Sequence, residues 1–383
     1  MRIKLLNTYC FNNIGSWLVV FFYLANLLRM TNHSGAPYVM MILIAGLVGL
    51  YQLISNKNLN RFFLLSIFVI YTFTGFLSFF FVGNQSFSDL FRNMLLYGVA
   101  ILMLAFPINY FQGTIVFYIT AYTYANLLFS GDFIRDLMVS SENYISVMLI
   151  LSACLYYIGL YNSKRNMLLF DVIPPIVCFI LSILANGRGG IISSALFFFL
   201  LLGVYIKNLK RSNLILYKFS ILIMSFLFIF VLWKGLNIID AFLSLGKLRS
   251  DGLNTSRFYM WSSYFSKVTD SIIYFFNGAP LNDIPSIHQF ENNTHNSFLQ
   301  LHAFNGLFMF FAFFFLLYRS LHSYINNGNY VLFIISVIVI VRGMTDKFIF
   351  GQYGMPIMMC IVFLPFAYSK YNYSHKGSVK QTI

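Results

Sequence analysis

The side chains of this chain best suited to chemistry are arginines and a histidine set in short polar segments. Asn186-Gly187-Arg188-Gly189-Gly190 places a guanidinium between glycines, which allow close backbone approach to a ligand. The planar fork of arginine pairs well with phosphate; an interfacial turn with a snorkelling arginine would have the same composition. Asn254-Thr255-Ser256-Arg257 precedes Trp261, Tyr264, Phe265, Val268 and Ile272 at helical spacing. Asn, Thr and Ser are good helix N-caps, so an amphipathic helix is expected to begin there with Arg257 in its first turn. A cation at that end opposes the helix dipole unless an anion binds between the two. The aromatic stripe beyond it, Trp261 included, reads as a packing face or as a sugar platform. His295 follows Glu291-Asn292-Asn293-Thr294, and histidine, with an ordinary pKa of about 6.5, can act as a general base near neutral pH. His302 recurs on the same face of the helix expected to continue from there. Arg342-Gly343-Met344-Thr345-Asp346-Lys347 reads either as a charged turn or as a cation and an acid added to an anionic pocket.

These segments interrupt a chain that is otherwise apolar. Of 383 residues 59% are hydrophobic and only 9% charged, with a mean hydropathy of +0.75. Soluble domains carry roughly 25% charged residues, so the expected class is an all-α integral membrane protein. The apolar runs are continuous over helical lengths, which excludes the alternating strands of a β-barrel. Runs of about 17 to 25 apolar residues give about twelve expected spans. They lie near 11–29, 37–54, 62–82, 93–107, 113–130, 143–161, 168–185, 189–206, 214–235, 296–317, 329–342 and 350–368. Residues 1–383 then form a single polytopic membrane domain. The polar stretch from Asn237 to Gly306 is its main interruption, and 236–295 are expected to form one large outer loop with amphipathic helices. No small-residue cleavage site follows the first apolar run, which is therefore expected to stay as a span.

Charge orients the spans. Lys57, Arg61, Lys164, Arg165, Lys207, Lys210, Arg211 and Arg319 fall on one side, whereas Asp89, Asp132, Asp270, Asp283, Glu291 and Asp346 fall on the other; only Asp171 among the acids falls near the basic side. By the positive-inside rule both termini are cytoplasmic and the long loop is extracytoplasmic. The net charge of +14 is then an orientation signal and does not imply nucleic acid. Cys10, Cys154, Cys178 and Cys360 are too scattered for a metal site or a disulfide framework. Arg188, Arg257 and His295 all land on the outer side of a topology drawn without them.

The ordered set Gly187-Arg188-Gly189 opening an apolar helix, Arg257-Phe258-Tyr259-Met260-Trp261 in the outer loop, and His295-Asn296-Ser297-Phe298-Leu299 followed by Gly306 resembles the O-antigen polymerase and O-antigen ligase family. The resemblance covers roughly residues 170 to 345; Asn186 stands where that family often has Ser or Thr. It implies a glycosyltransferase of the bacterial inner membrane acting on undecaprenyl-pyrophosphate-linked oligosaccharide, without metal or other cofactor. Arg188 and Arg257 would bind the donor pyrophosphate, and His295 would orient or deprotonate the acceptor hydroxyl. Asn296, Arg342, His302 and Trp261 are the expected substrate-binding residues. Expected partners are the bilayer, a chain-length regulator and a flippase. The sparse charge and the wealth of Phe, Ile, Asn and Tyr resemble the polymerases more than the ligases. A flippase for the same lipid-linked unit is the alternative from another class. It would bury charges along a path through its spans, whereas here the ionisable residues sit mostly at span ends.

Overall fold

A computed structural model describes residues 2–32, 35–129, 143–185, 187–212, 218 and 256–368. Among these no strand occurs and the regular secondary structure is helical. Helices α1 (Arg2–Asn32), α2 (Gly35–Ser55), α3 (Arg61–Val82), α4 (Phe87–Ala105), α5 (Tyr110–Phe129) and α6 (Asn143–Asn162) come first. A 3-10 turn leads into α7 (Ile173–Leu184), followed by α8 (Arg188–Ser212). After the gap come α9 (Ser256–Thr269), the short α10 (Ile272–Asn277) and α11 (Pro285–His288), then α12 (Ser297–Asn326), α13 (Tyr330–Thr345) and α14 (Met355–Phe363).

Seven of the described helices are long and apolar enough to cross a membrane, and the segments 169–184 and 330–345 are shorter apolar helices. The expected spans coincide with helices except at 214–235, of which residue 218 alone is described. The final expected span carries a helix of only 9 residues, α14. In α6 almost every residue is buried; a helix apolar on all sides belongs at the centre of the bundle. Helices further out present apolar faces outward, as with Phe308, Phe311, Phe315 and Tyr318 along α12. These recur at helical spacing, as a lipid-facing stripe does. Cys154, Cys178 and Cys360 are buried free thiols.

Helices α2 and α4 approach backbone to backbone. A Cβ on Gly46 would stand 2.8 Å from the Leu95 carbonyl oxygen, and one on Gly49 would overlap Gly98. Small residues at such crossings let van der Waals packing hold helices together where no hydrophobic drive separates helix from lipid.

Helix α12 is broken at Gly306, whose φ of +67° is closed to most L residues. The break strips the preceding carbonyls of their intrahelical partners, and a buried carbonyl without one is costly. Polar side chains at the end of α3 replace them. Ser78 Oγ donates to Ala303 O at 2.9 Å, Asn84 Nδ2 to the same oxygen at 2.8 Å, and Gln85 Nε2 to Phe304 O at 2.6 Å. Asn84 also donates to Ala279 O and accepts from Leu281 N, both at 2.7 Å. It thereby fastens the segment 256–296 to the break. That segment has its own small core of Met260, Tyr264, Val268, Leu281, Ile284 and Ile287, seated on Leu299 and Ala303 of the first half of α12.

Candidate active site

The turn that starts α12 is built from its own polar side chains. Asn296 is the N-cap, its side chain accepting from Phe298 N at 2.9 Å and Leu299 N at 3.2 Å. Asn293 Oδ1 accepts from His295 N at 2.8 Å. His295 itself is held at φ +48°, a region uncommon for a residue with a side chain. This conformation turns its imidazole towards α13, with the ring edge on Phe290.

Across from it stands Asp346, 2% exposed. His295 Nδ1 lies 3.7 Å from Asp346 Oδ1, a charge contact longer than a closed hydrogen bond, and Nδ1 is buried with no hydrogen-bond partner. The ring as a whole keeps 21% of its exposure. Arg342, one turn back on α13, holds the other carboxylate oxygen at 3.3 Å. Lys347 N donates to Oδ1 at 3.0 Å, and Ser297 Oγ donates to the Asp346 carbonyl at 2.7 Å. Burial would raise the carboxyl pKa, but the facing imidazole and the guanidiniums of Arg342 and Arg257 outweigh it and hold the group down at about 2. Asp346 is therefore an anion at any physiological pH.

Arg342 is 1% exposed and committed to internal partners. It donates to Thr345 Oγ1 at 2.8 Å and to Asn143 O at 3.1 Å, besides Asp346. Gly189 packs directly against this arrangement: a Cβ there would stand 2.8 Å from Thr345 Oγ1 and 3.3 Å from Arg342 Nη1. The first turn of α8, and with it the backbone of Arg188, therefore abuts the Arg342–Asp346 pair. The Arg188 side chain lies outside the described residues, as does Asn186. Arg257 is half-buried in the first turn of α9, near enough to Asp346 to lower its pKa.

The other expected substrate-binding residues have structural partners. Trp261 Nε1 donates to Thr294 O at 3.0 Å and pins α9 to the His295 turn. His302 Nε2 donates to Phe275 O at 3.0 Å, and Nδ1 accepts from the Tyr264 hydroxyl at 2.7 Å. Both ring nitrogens are thus spent joining α9, α10 and α12. Asn296 is occupied as the cap. His295, Arg257, Arg342 and the opening of α8 are brought together; His302 stands apart from them.

Sequence reasoning passed over Asp346 as the centre of this group. The signal was present, since Arg342 and Asp346 sit four apart at the end of an apolar helix, where such a pair faces one way. Lys347 was likewise missed. Its amine lies 5.7 Å over the Phe304 ring. Burial and the nearby Arg92 push its pKa down to about 8, against the pull of Asp89 and Glu291.

Among the described residues no three His, Cys, Asp or Glu side chains converge as a metal site would need. The groups that do converge are cations and an imidazole around one buried carboxylate. Such a site can receive an anion at Arg257 and take up a proton at His295, with Asp346 stabilising the imidazolium that forms. No protein-family model matches the chain, and no curated protein matches it.

Proposed function

We propose that this chain is an O-antigen polymerase: a glycosyltransferase of the bacterial inner membrane that joins undecaprenyl-pyrophosphate-linked oligosaccharide units on the periplasmic face. In this reading about twelve spans cross the bilayer with both termini cytoplasmic, and residues 236–295 stand in the periplasm. The observation that carries it is the meeting of His295 with Asp346 at 3.7 Å, in a group that also contains Arg257 and the backbone of Arg188.

The acceptor sugar hydroxyl approaches Nε2 of His295, the ring nitrogen turned away from Asp346. As its oxygen attacks the anomeric carbon of the donor, the proton passes to Nε2 and the carbon–oxygen bond to pyrophosphate breaks. The electron pair leaves on the pyrophosphate oxygen, where Arg257 and Arg188 neutralise the charge. Asp346 balances the imidazolium until the proton is lost to water. A single displacement inverts the anomeric centre. Asp346 plays the part of the carboxylate in a nucleophile–histidine–acid triad, and Arg342 keeps it in place.

The test is the surface polysaccharide of a deletion strain carrying a wild-type or His295→Ala copy at matched membrane level. A ladder restored only by the wild type, over a background of core bearing one unit, supports polymerisation. Bare core with polymer left on undecaprenyl pyrophosphate would make the protein a ligase. A ladder unchanged by the deletion would remove it from this chemistry.

A further inference from the structure

The outer segment carries a second concavity, apart from the His295–Asp346 group. It is an open groove of about 440 Å³ between α9 and the turn ahead of α11. Ser262, Ser263, Ser266, Lys267 and Asp270 line one wall, and Asp283 with Ile284 and Pro285 the other. The walls are fixed from beneath: Tyr264 and Val268 of α9 and Ile284 and Ile287 across the groove belong to one buried cluster. Lys267 is held by Asp270 at 3.3 Å, and its amine also lies 5.7 Å over the Tyr274 ring.

The lining dictates the ligand. Two carboxylates oppose one ammonium, so a phosphate or pyrophosphate is repelled. The hydroxyls of Ser263 and Ser266 can both donate and accept, that of Ser262 can accept while it donates to Tyr259 O, and with two acceptor carboxylates and a donor amine they match a neutral ligand dense in hydroxyl groups. The groove also lies on the same helix as Arg257. At about 1.5 Å per residue, Ser263 and Ser266 stand roughly 9 to 14 Å further along the axis from Arg257. At about 100° per residue the groove opens on the side of α9 away from Arg257, so a glycan with its reactive end at His295 and Arg257 would reach it by crossing over the helix.

We infer that the groove between α9 and the 283–285 turn is a saccharide subsite, binding uncharged sugars of the lipid-linked glycan remote from the bond being formed. This rests on the glycan-transfer reading, and it adds a place where the identity of the repeat unit is read. A site built to hydrogen-bond hydroxyls discriminates strongly against sugars that lack them.

The experiment uses the full chain in lipid nanodiscs. The probe is the oligosaccharide released by mild acid from the host strain's own lipid-linked repeat units, observed by saturation-transfer NMR. Ser266 is exposed, so Ser266→Trp fills the groove without entering the core; Asp283→Asn is the milder variant. Both should bind the probe at least about tenfold more weakly than wild type, the loss of one or two hydrogen bonds. Binding by Ser266→Trp and Asp283→Asn equal to wild type, or no binding to the wild type, would overturn the subsite. The polysaccharide ladder separates the two readings. If His295→Ala abolishes it while the groove variants bind normally, only the subsite falls. If His295→Ala leaves it intact while the groove variants lose the probe, the transfer reading falls and a sugar-binding groove remains.

Discussion

Nδ1 of His295 faces Oδ1 of Asp346 across 3.7 Å, while Arg342 fastens the other oxygen of the same carboxylate from behind at 3.3 Å. The acid is thus shared between a histidine at the rim and an arginine sealed in the bundle. Removing its charge should affect both. Asp346→Asn keeps the shape but leaves Arg342 buried without its counter-charge, a loss of about 3–5 kcal/mol when one partner of a buried pair is removed. If His295 is the base, glycan transfer per protein should also fall by about 10²- to 10⁴-fold, the usual worth of general base catalysis. Thermal unfolding in detergent and polysaccharide yield normalised to membrane level separate the two effects.

The same carboxylate sets an acid limit. Its folded pKa of about 2 lies below the unfolded value of about 3.9. The group therefore contributes stability above about pH 4 that is lost as pH falls through about 2. Unfolding temperature followed from pH 5 to pH 2 should drop in the wild type, and this component should be missing in Asp346→Asn.

Lys347 works in the opposite sense. Its folded pKa of about 8 is below the unfolded value of about 10.4, so the unfolded chain holds more protons between those limits. Stability should rise with pH across that window. Lys347→Met should unfold at a higher temperature than wild type at pH 7, with the gap closing towards pH 10.

Gly306 tests the broken helix. A Cβ there would overlap the Phe276 carbonyl oxygen, at a φ of +67°. Gly306→Ala should destabilise by more than about 1 kcal/mol and reduce the amount of folded protein recovered from membranes. Asn84→Ala, which removes partners from Ala279 O, Ala303 O and Leu281 N, should loosen the same region. Proteolysis of the outer segment should then quicken.

His302 should prove structural. With Nδ1 on Tyr264 and Nε2 on Phe275 O, His302→Gln should lower the unfolding temperature while transfer by the folded fraction stays within a few fold. Loss of transfer at unchanged stability would instead place His302 in the chemistry.

Apolar run length and the charge of the loops made the helical membrane class and most helix positions legible in the sequence. The helix 256–269 was legible for the same kind of reason, since its apolar periodicity is local in the chain, although Ile272 opens the next helix; the expected caps Asn254 and Thr255 lie outside the described residues. The break at Gly306 was not, because it depends on Ser78, Asn84 and Gln85, far away in sequence, taking over the freed carbonyls. Tertiary partners likewise decided the site. His302, on the same face as His295 and expected to bind substrate, has both ring nitrogens taken up by Tyr264 and Phe275 O as α9 and α10 dock. Asp346, between an arginine and a lysine in a short loop, reads from the sequence either as part of a charged turn or as an acid of an anionic pocket. Its importance appears only once α13 lies against the His295 turn.

The most direct measurement is transfer by the purified full chain in micelles supplied with lipid-linked repeat units, following undecaprenyl pyrophosphate release and glycan length together by mass spectrometry. Wild type should release one pyrophosphate lipid for each unit added, and His295→Ala and Arg257→Ala, equally folded, should release almost none. Undiminished release and elongation by folded His295→Ala would contradict the assignment of this site.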